Sequence, residues 1–319
     1  MCSTHWKETI MKRMVFSLVL ALTLFPSQSA VAWNNTGHKL VARIGWDDMT
    51  PTTRRNVIAL LMKIPSNACL RERFSKDASR PLEEREREYF IEAATWPDIV
   101  RPNDKPNHPD TRPCIKYHRR DWHFVDFFWS GVSGDPNNPP HDLPIPVAQV
   151  NALERLQELE ELVVSNKPAN ERAIFLGWIL HLVGDIHQPL HTSGRVTSKP
   201  NEQHGDAGGN LFSLGNVTLH SYWDGIVDRQ KGGVSINTLA GDFRSAHPRS
   251  SFGQLSPGDF ERWVRESLEN AKKNAYPKGL ERGTLPSTNY QNSTFRVANE
   301  SITKAGYRLA DLLNKLFGS

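Results

Sequence analysis

The 319 residues carry a formal net charge of +4, which falls to +2 once a leader containing Lys7, Glu8, Lys12 and Arg13 is set aside. So nearly balanced a chain is no bulk polyanion binder, and any attraction to phosphate must be local. Residues 33–319 suffice for one large domain with a well-buried core.

The leader comes first. Lys12 and Arg13 precede an apolar run from Met14 to Phe25, and Pro26 to Ala32 closes on an Ala-x-Ala pattern. That order predicts a signal peptide over 1–32, cleaved after Ala32, leaving a domain over 33–319 with Trp33 at its amino terminus. The run is short for a bilayer span and no later stretch is apolar enough, so the expectation is an exported protein, secreted or periplasmic, not inserted in the membrane after cleavage. Cys2 leaves with the leader. Export permits a Cys69–Cys114 disulfide, with two free thiols as the alternative.

The predicted elements are mainly helical. Thr36 is placed to cap a first helix running to about Trp46, and Thr50-Pro51 starts a second. Arg80-Pro81 opens a third, expected to end at Trp96-Pro97-Asp98. Residues 101–120 and 130–144 are rich in Pro, Asn, Asp or Gly and read as loops around a buried segment, Trp122 to Asp126. Pro146 to Ser165 shows helical spacing at Val150, Leu153, Leu156, Leu159 and Val163. A central helix starts at Asn170 and carries Ile174, Leu176, Ile179 and Leu180 towards His181. A polar loop over 192–208 and a hairpin over Leu211–Leu219, broken at Gly215-Asn216, precede closing helices at about 258–275 and 288–317. The fold class is all-α, one mainly helical domain with one short β-hairpin.

The chemistry concentrates between His181 and His191. His181 and Asp185 are four apart and share a helical face; Pro189 stops the helix, and His191 lies on the turn beyond. His220 and Asp224 repeat the spacing. Histidines on an apolar helix can be ordinary core residues, but two matched His/Asp pairs plus His191 argue against that. His38, Asp98 and His123 complete eight candidate ligands, too many for one zinc and suited to two or three. Imidazole and carboxylate without thiolate suit hydrolytic zinc better than structural zinc. Asp47 and Asp48 read as helix-face charges, and His187 as a supporting or surface residue.

These motifs carry a family resemblance over the whole domain. The Trp33-Asn-Asn-Thr-Gly-His38 start, Trp96-Pro-Asp98, Trp122-His123-Phe124, the His181–His191 block, Gly208-Gly-Asn210 and His220-Ser-Tyr-Trp-Asp224 resemble, in order, the nuclease S-one/P-one type family, secreted zinc-dependent single-strand-specific nucleases. The resemblance implies three zinc ions. One is held by Asp98, His123, His181 and Asp185, and a second by His191, His220 and Asp224. The third is held by the terminal amine and carbonyl of Trp33, by His38, and by Asp185 as a bridge. It further implies metal-assisted in-line attack on phosphorus, releasing 5′-nucleotides from single-stranded DNA and RNA, with action on 3′-nucleotides as well. Asp98, Asp185, Arg101 and Asn210 form the catalytic set, with Arg101 and Asn210 at the phosphate. Phe124 and Asp126 form a base pocket. A monomer is expected. Zinc-dependent phospholipases C share this architecture and are the rival reading, with phosphatases beside them; a non-catalytic exported zinc-binding protein is the rival of another class.

Overall fold

In the computed structural model, which describes residues 33–103 and 108–319, Asn34 rather than Thr36 starts the first helix. Its Oδ1 accepts from the Gly37 N–H at 3.2 Å, and α1 runs Asn35–Asp48. Asparagine is at least as good a cap as threonine, so the earlier of two candidates wins. The predicted leader lies outside the described residues.

Helix α2 (Pro51–Leu61) begins as expected, Thr50 Oγ1 accepting from Thr53 N with Pro51 in the first turn. Helix α3 (Leu82–Ala93) opens after Pro81 but stops before Asp98, which lies instead on a separate single turn, α4 (Trp96–Ile99). Proline explains the correction. Continued helix would press the Pro97 ring onto the Ala93 carbonyl and leave that carbonyl without its N–H, so the chain breaks and restarts. Cys69 and Cys114 are disulfide-bonded, with Cα atoms 5.7 Å apart, closing the segment that holds α3 and α4.

The segment Trp122 to Asp126 is buried only at His123 and Val125, with Trp122, Phe124 and Asp126 partly exposed, and it continues into β1 (Phe127–Ser130), which pairs antiparallel with β2 (His141–Asp142). Helix α5 (Ala152–Leu162) starts later than Pro146, because the Asn151 side chain caps it by accepting from Glu154 N at 3.0 Å. Val150 therefore falls outside the packing stripe and is 49 % exposed. Helix α6 (Ala169–Asp185) is the axis of the fold, and every residue from Leu176 to Gly194 is buried. A helix apolar on all sides belongs in a core, and its polar His181 and Asp185 are carried there with it.

The stretch read as a polar loop after His191 begins as β3 (Ser193–Arg195), parallel to β1, which adds a three-stranded sheet to the predicted hairpin. The hairpin is present as β4 (Ser213–Leu214) and β5 (Val217–Thr218). Three short helices that sequence periodicity does not reveal follow: α7 (Leu219–Asp224), α8 (Ile226–Lys231) and α9 (Ile236–Ala246). Helix α10 (Phe260–Asn270) continues into one π turn, and α11 (Thr288–Phe317) closes the chain.

Helix α11 lies directly against α1. A side chain at Gly306 would meet Ile44 Cβ at 2.6 Å, so only glycine permits that approach. Asp47 pairs with Arg244, and Asp48 with Arg244 and Arg249, fastening α1 to α9 and its following turn, in line with the helix-face role expected of the two acids. Among the described residues no helix is long and apolar enough to cross a membrane.

Candidate metal centre

Helix α6 presents His181 and Asp185 one turn apart, and three other parts of the chain close around them. His38 comes from α1; its ring stacks on His181 at 3.8 Å, and its Nε2 lies 3.3 Å from Asp185 Oδ1. His123 enters from the turn before β1, its Nδ1 3.1 Å from Asp185 Oδ2 and 3.1 Å from His181 Nε2. Asp98 arrives on α4, 3.9 Å from His181 Nε2. Asp185 thus offers one oxygen to His38 and the other to His123 and His181.

A second focus forms where the Pro189 turn meets α7. His191 and His220 rings are 4.8 Å apart, and their Nε2 atoms lie 3.8 and 3.4 Å from the Asp224 carboxylate. Among the described residues three groups could therefore hold a metal ion: His38–His181–Asp185, Asp98–His123–His181 and His191–His220–Asp224, the ligand atoms in each within 4.8 Å of one another.

The outward nitrogens are tied down. His181 Nδ1 donates to the Ala94 carbonyl at 2.8 Å, His191 Nδ1 to His123 O at 2.7 Å, and His220 Nδ1 to Gly208 O at 2.8 Å. Such bonds fix the tautomer and turn the Nε2 lone pair inward, unpartnered in His191 and His220. The Nε2 atoms of His38, His123, His191 and His220, both Asp98 oxygens and Asp185 Oδ1 are buried without a hydrogen-bond partner. Buried polar atoms left unpaired at this density are costly unless something binds them.

Electrostatics point the same way. Burial holds His38, His123 and His191 well below the usual imidazole range and lowers His181 to about 3 and His220 to about 4. Burial lifts Asp98 to about 7, with Arg101 opposing. It raises Asp185 and Asp224 well above the carboxylate range, reinforced by neighbouring acids. The histidines are neutral and cannot neutralise the acids. A cation can, and the donor set fits one.

A cleft of about 330 Å³ opens onto this centre, lined by His123 and His220 together with Arg101, Phe124, Asp126 and Asn210, so the expected substrate-contacting residues share one space. Arg101 Nη2 is 3.7 Å from Asp98 Oδ1. Burial, and then the neighbouring Asp206, push Asp126 up to about 7. Asp206 itself accepts from the Tyr276 hydroxyl at 2.6 Å and from Arg195 N at 3.1 Å.

Trp33 is fully buried, and the next residue's N–H donates to Asp224 O at 3.1 Å. His187 is neither a ligand nor on the surface: its Nδ1 donates to Val183 O, and its Nε2 accepts from buried Arg308 at 2.9 Å. Gln188 was not singled out by sequence, yet its amide donates to Asp224 Oδ1 at 2.6 Å while its oxygen accepts from Leu190 N. The available signal was its position directly before Pro189, where a side-chain acceptor can cap the turn. His118 and Arg120, in a segment read only as loop, also line the cleft.

Residues 33–318 match the S1/P1 Nuclease family. The chain is 24% identical over 324 residues to Nuclease S1 of Aspergillus oryzae, covering 93% of this chain and 96% of that one. It is 22% identical over 329 residues to Endonuclease 2 of Arabidopsis thaliana, covering 95% and 97%. Endonuclease 4 of the same plant is 27% identical over 161 residues, 45% of this chain and 50% of that protein. Because the family match spans every element that supplies the buried His/Asp groups, the chain belongs to the S1/P1 nuclease family and is a hydrolase of phosphodiester bonds.

Proposed function

We propose that the protein is an exported, monomeric, zinc-dependent nuclease that cleaves single-stranded DNA and RNA to 5′-nucleotides and also acts on 3′-nucleotides. The observation that carries this reading is the position of Asp185, one oxygen towards His38 and the other towards His123 and His181, amid donor atoms with no other partner. Zinc suits the imidazole and carboxylate donors and the absence of thiolate. Asp98, His123, His181 and Asp185 hold one ion, and His191, His220 and Asp224 a second. His38, Asp185 and the amine and carbonyl of Trp33 hold the third, after cleavage of residues 1–32 frees the amine.

When bound, zinc supplies positive charge for the phosphate and lowers the pKa of water. The chain's own groups do the rest. Arg101 and Asn210 orient the phosphate oxygens and meet the charge that builds there. Phe124 stacks on a base. Asp126, a carboxyl that keeps its proton close to neutrality, donates to or accepts from the base edge.

The test uses protein beginning at Trp33, given single-stranded DNA, RNA, 3′-nucleotides and phosphatidylcholine, each with and without a zinc chelator. Chelator-sensitive release of 5′-nucleotides with little lipid cleavage is the expected result. Lipid cleavage alone would move the substrate to the phospholipase class, and zinc binding without hydrolysis would leave only a binding role.

A further inference from the structure

Two charged or polar residues that line the cleft have no role in this reading: His118, which closes the turn Pro113–Tyr117, and Arg120, which opens the turn Arg120–Trp122. Arg119 between them is committed elsewhere, donating to the carbonyls of Lys116 and His118 at 2.8 and 2.7 Å and lying over Trp122. Arg120 is exposed, and among the described residues its guanidinium has no hydrogen-bond or ion-pair partner. His118 Nδ1 is shielded from solvent and also has no partner.

The cations Arg101, Arg119 and Arg120 all act on His118, with Asp121 opposing them. A chain that is nearly neutral as a whole thus concentrates cations and unused donors at one side of its cleft. The acceptor that fits is an anionic oxygen able to take a planar fork. Arg101 stands beside Asp98, at the metal end. Arg120 lines the same cleft and is exposed to solvent.

The geometry points to a second phosphate subsite, in which Arg120 and His118 hold the phosphodiester next to the one being cleaved. This rests on the nuclease reading and deepens it: the enzyme grips a strand at two successive phosphates and so favours oligonucleotides over dinucleotides.

The zinc-loaded enzyme and its Arg120→Ala and Arg120→Lys variants are compared on a single-stranded decanucleotide and on a dinucleoside monophosphate, which has no flanking phosphate. Arg120→Ala is expected to lower the decamer-to-dinucleotide ratio of kcat/KM about tenfold, through KM, the size of one charged hydrogen-bonded contact. The slope of log kcat/KM for the decamer against log salt should flatten by about 0.7, one phosphate contact on a single strand. Arg120→Lys should keep the slope and recover part of the ratio, since it keeps the charge but loses the fork. Equal effects on both substrates, or an unchanged ratio and slope in Arg120→Ala, would overturn the subsite while leaving the nuclease intact. Wild-type enzyme that cleaves neither substrate would instead overturn the nuclease reading and the subsite with it.

Discussion

On the proposed reading Asp185 holds two of the three zinc ions, one oxygen towards His38 and the other towards His123 and His181, so replacing it removes more than one ligand's worth of binding. Asp185→Asn is expected to leave a single strongly held zinc, at the His191–His220–Asp224 group, and to lower kcat by at least about a hundredfold, the scale of losing an electrostatic centre at the reacting phosphate. Full zinc content by elemental analysis would refute the bridging role. Protons supply a second test. Without metal, Asp98 titrates near 7 while His181 and His220 lie near 3 and 4. At pH 6 the folded, metal-free protein therefore carries a proton on Asp98 and none on these histidines. Metal uptake should release carboxyl protons, with Asp185 and Asp224 adding to the count, and affinity should weaken as pH falls below about 7. Calorimetry in buffers of differing ionisation enthalpy measures that release, and no net release at pH 6 would contradict the assignment. The nearness of His181 to Asp185 and of His220 to Asp224 was legible because a four-residue spacing puts both side chains on one helical turn. Gln188, His118 and Arg120 were not, because their roles depend on what folds over them and leave no period in the sequence.

Among the elements, α1 and α6 approach through Gly184. A methyl group there would lie 2.8 Å from His38 Nδ1, and the His38 ring, stacked on His181, has no room to retreat. Gly184→Ala should cost about 1–3 kcal/mol, the usual range for overpacking, and should weaken zinc binding at the His38 group before the others. Thermal unfolding and stepwise zinc titration read the two effects separately; unchanged values in both would show that the ring can move. The disulfide joins residues 45 apart, a loop whose closure is worth about 4 kcal/mol on chain entropy alone. A Cys69→Ala/Cys114→Ala double variant should lose about 2–4 kcal/mol in urea denaturation. Helices bounded by clear caps were legible, as at Thr50-Pro51. Where two caps competed, at Asn34 and Thr36, or where Pro97 split one helix into two, sequence alone chose wrongly. Six-residue helices such as α7 and α8, and the short strands β2 and β3, are too short to show either period, whereas the equally short hairpin was marked by its Gly215-Asn216 turn.

Over the whole molecule, the mainly helical domain was readable because α6 is long and largely apolar and α11 is long with a clear packing stripe. The closure around α6 was suggested only by the family resemblance and not by any period, since His38, Asp98, His123 and the His220–Asp224 pair come from separate elements joined by tertiary packing. On the proposed reading the mature amino terminus belongs to that closure as well. Protein that keeps residues 1–32 should bind two zinc ions instead of three and lose most of its activity, and removing the leader after purification should restore both. Three zinc ions and full activity with the leader still attached would rule out the amine as a ligand.

The Cys69–Cys114 loop encloses Asp98 and none of the other acids and histidines of the three groups. Breaking the bridge therefore slackens the tether of one donor and leaves the covalent setting of the rest unchanged. On the proposed reading, a phosphine reductant should open one metal position to exchange while its neighbours stay loaded. Cobalt supplied during that interval, followed by reoxidation, would yield a mixed-metal enzyme whose visible spectrum reports on the Asp98 position by itself.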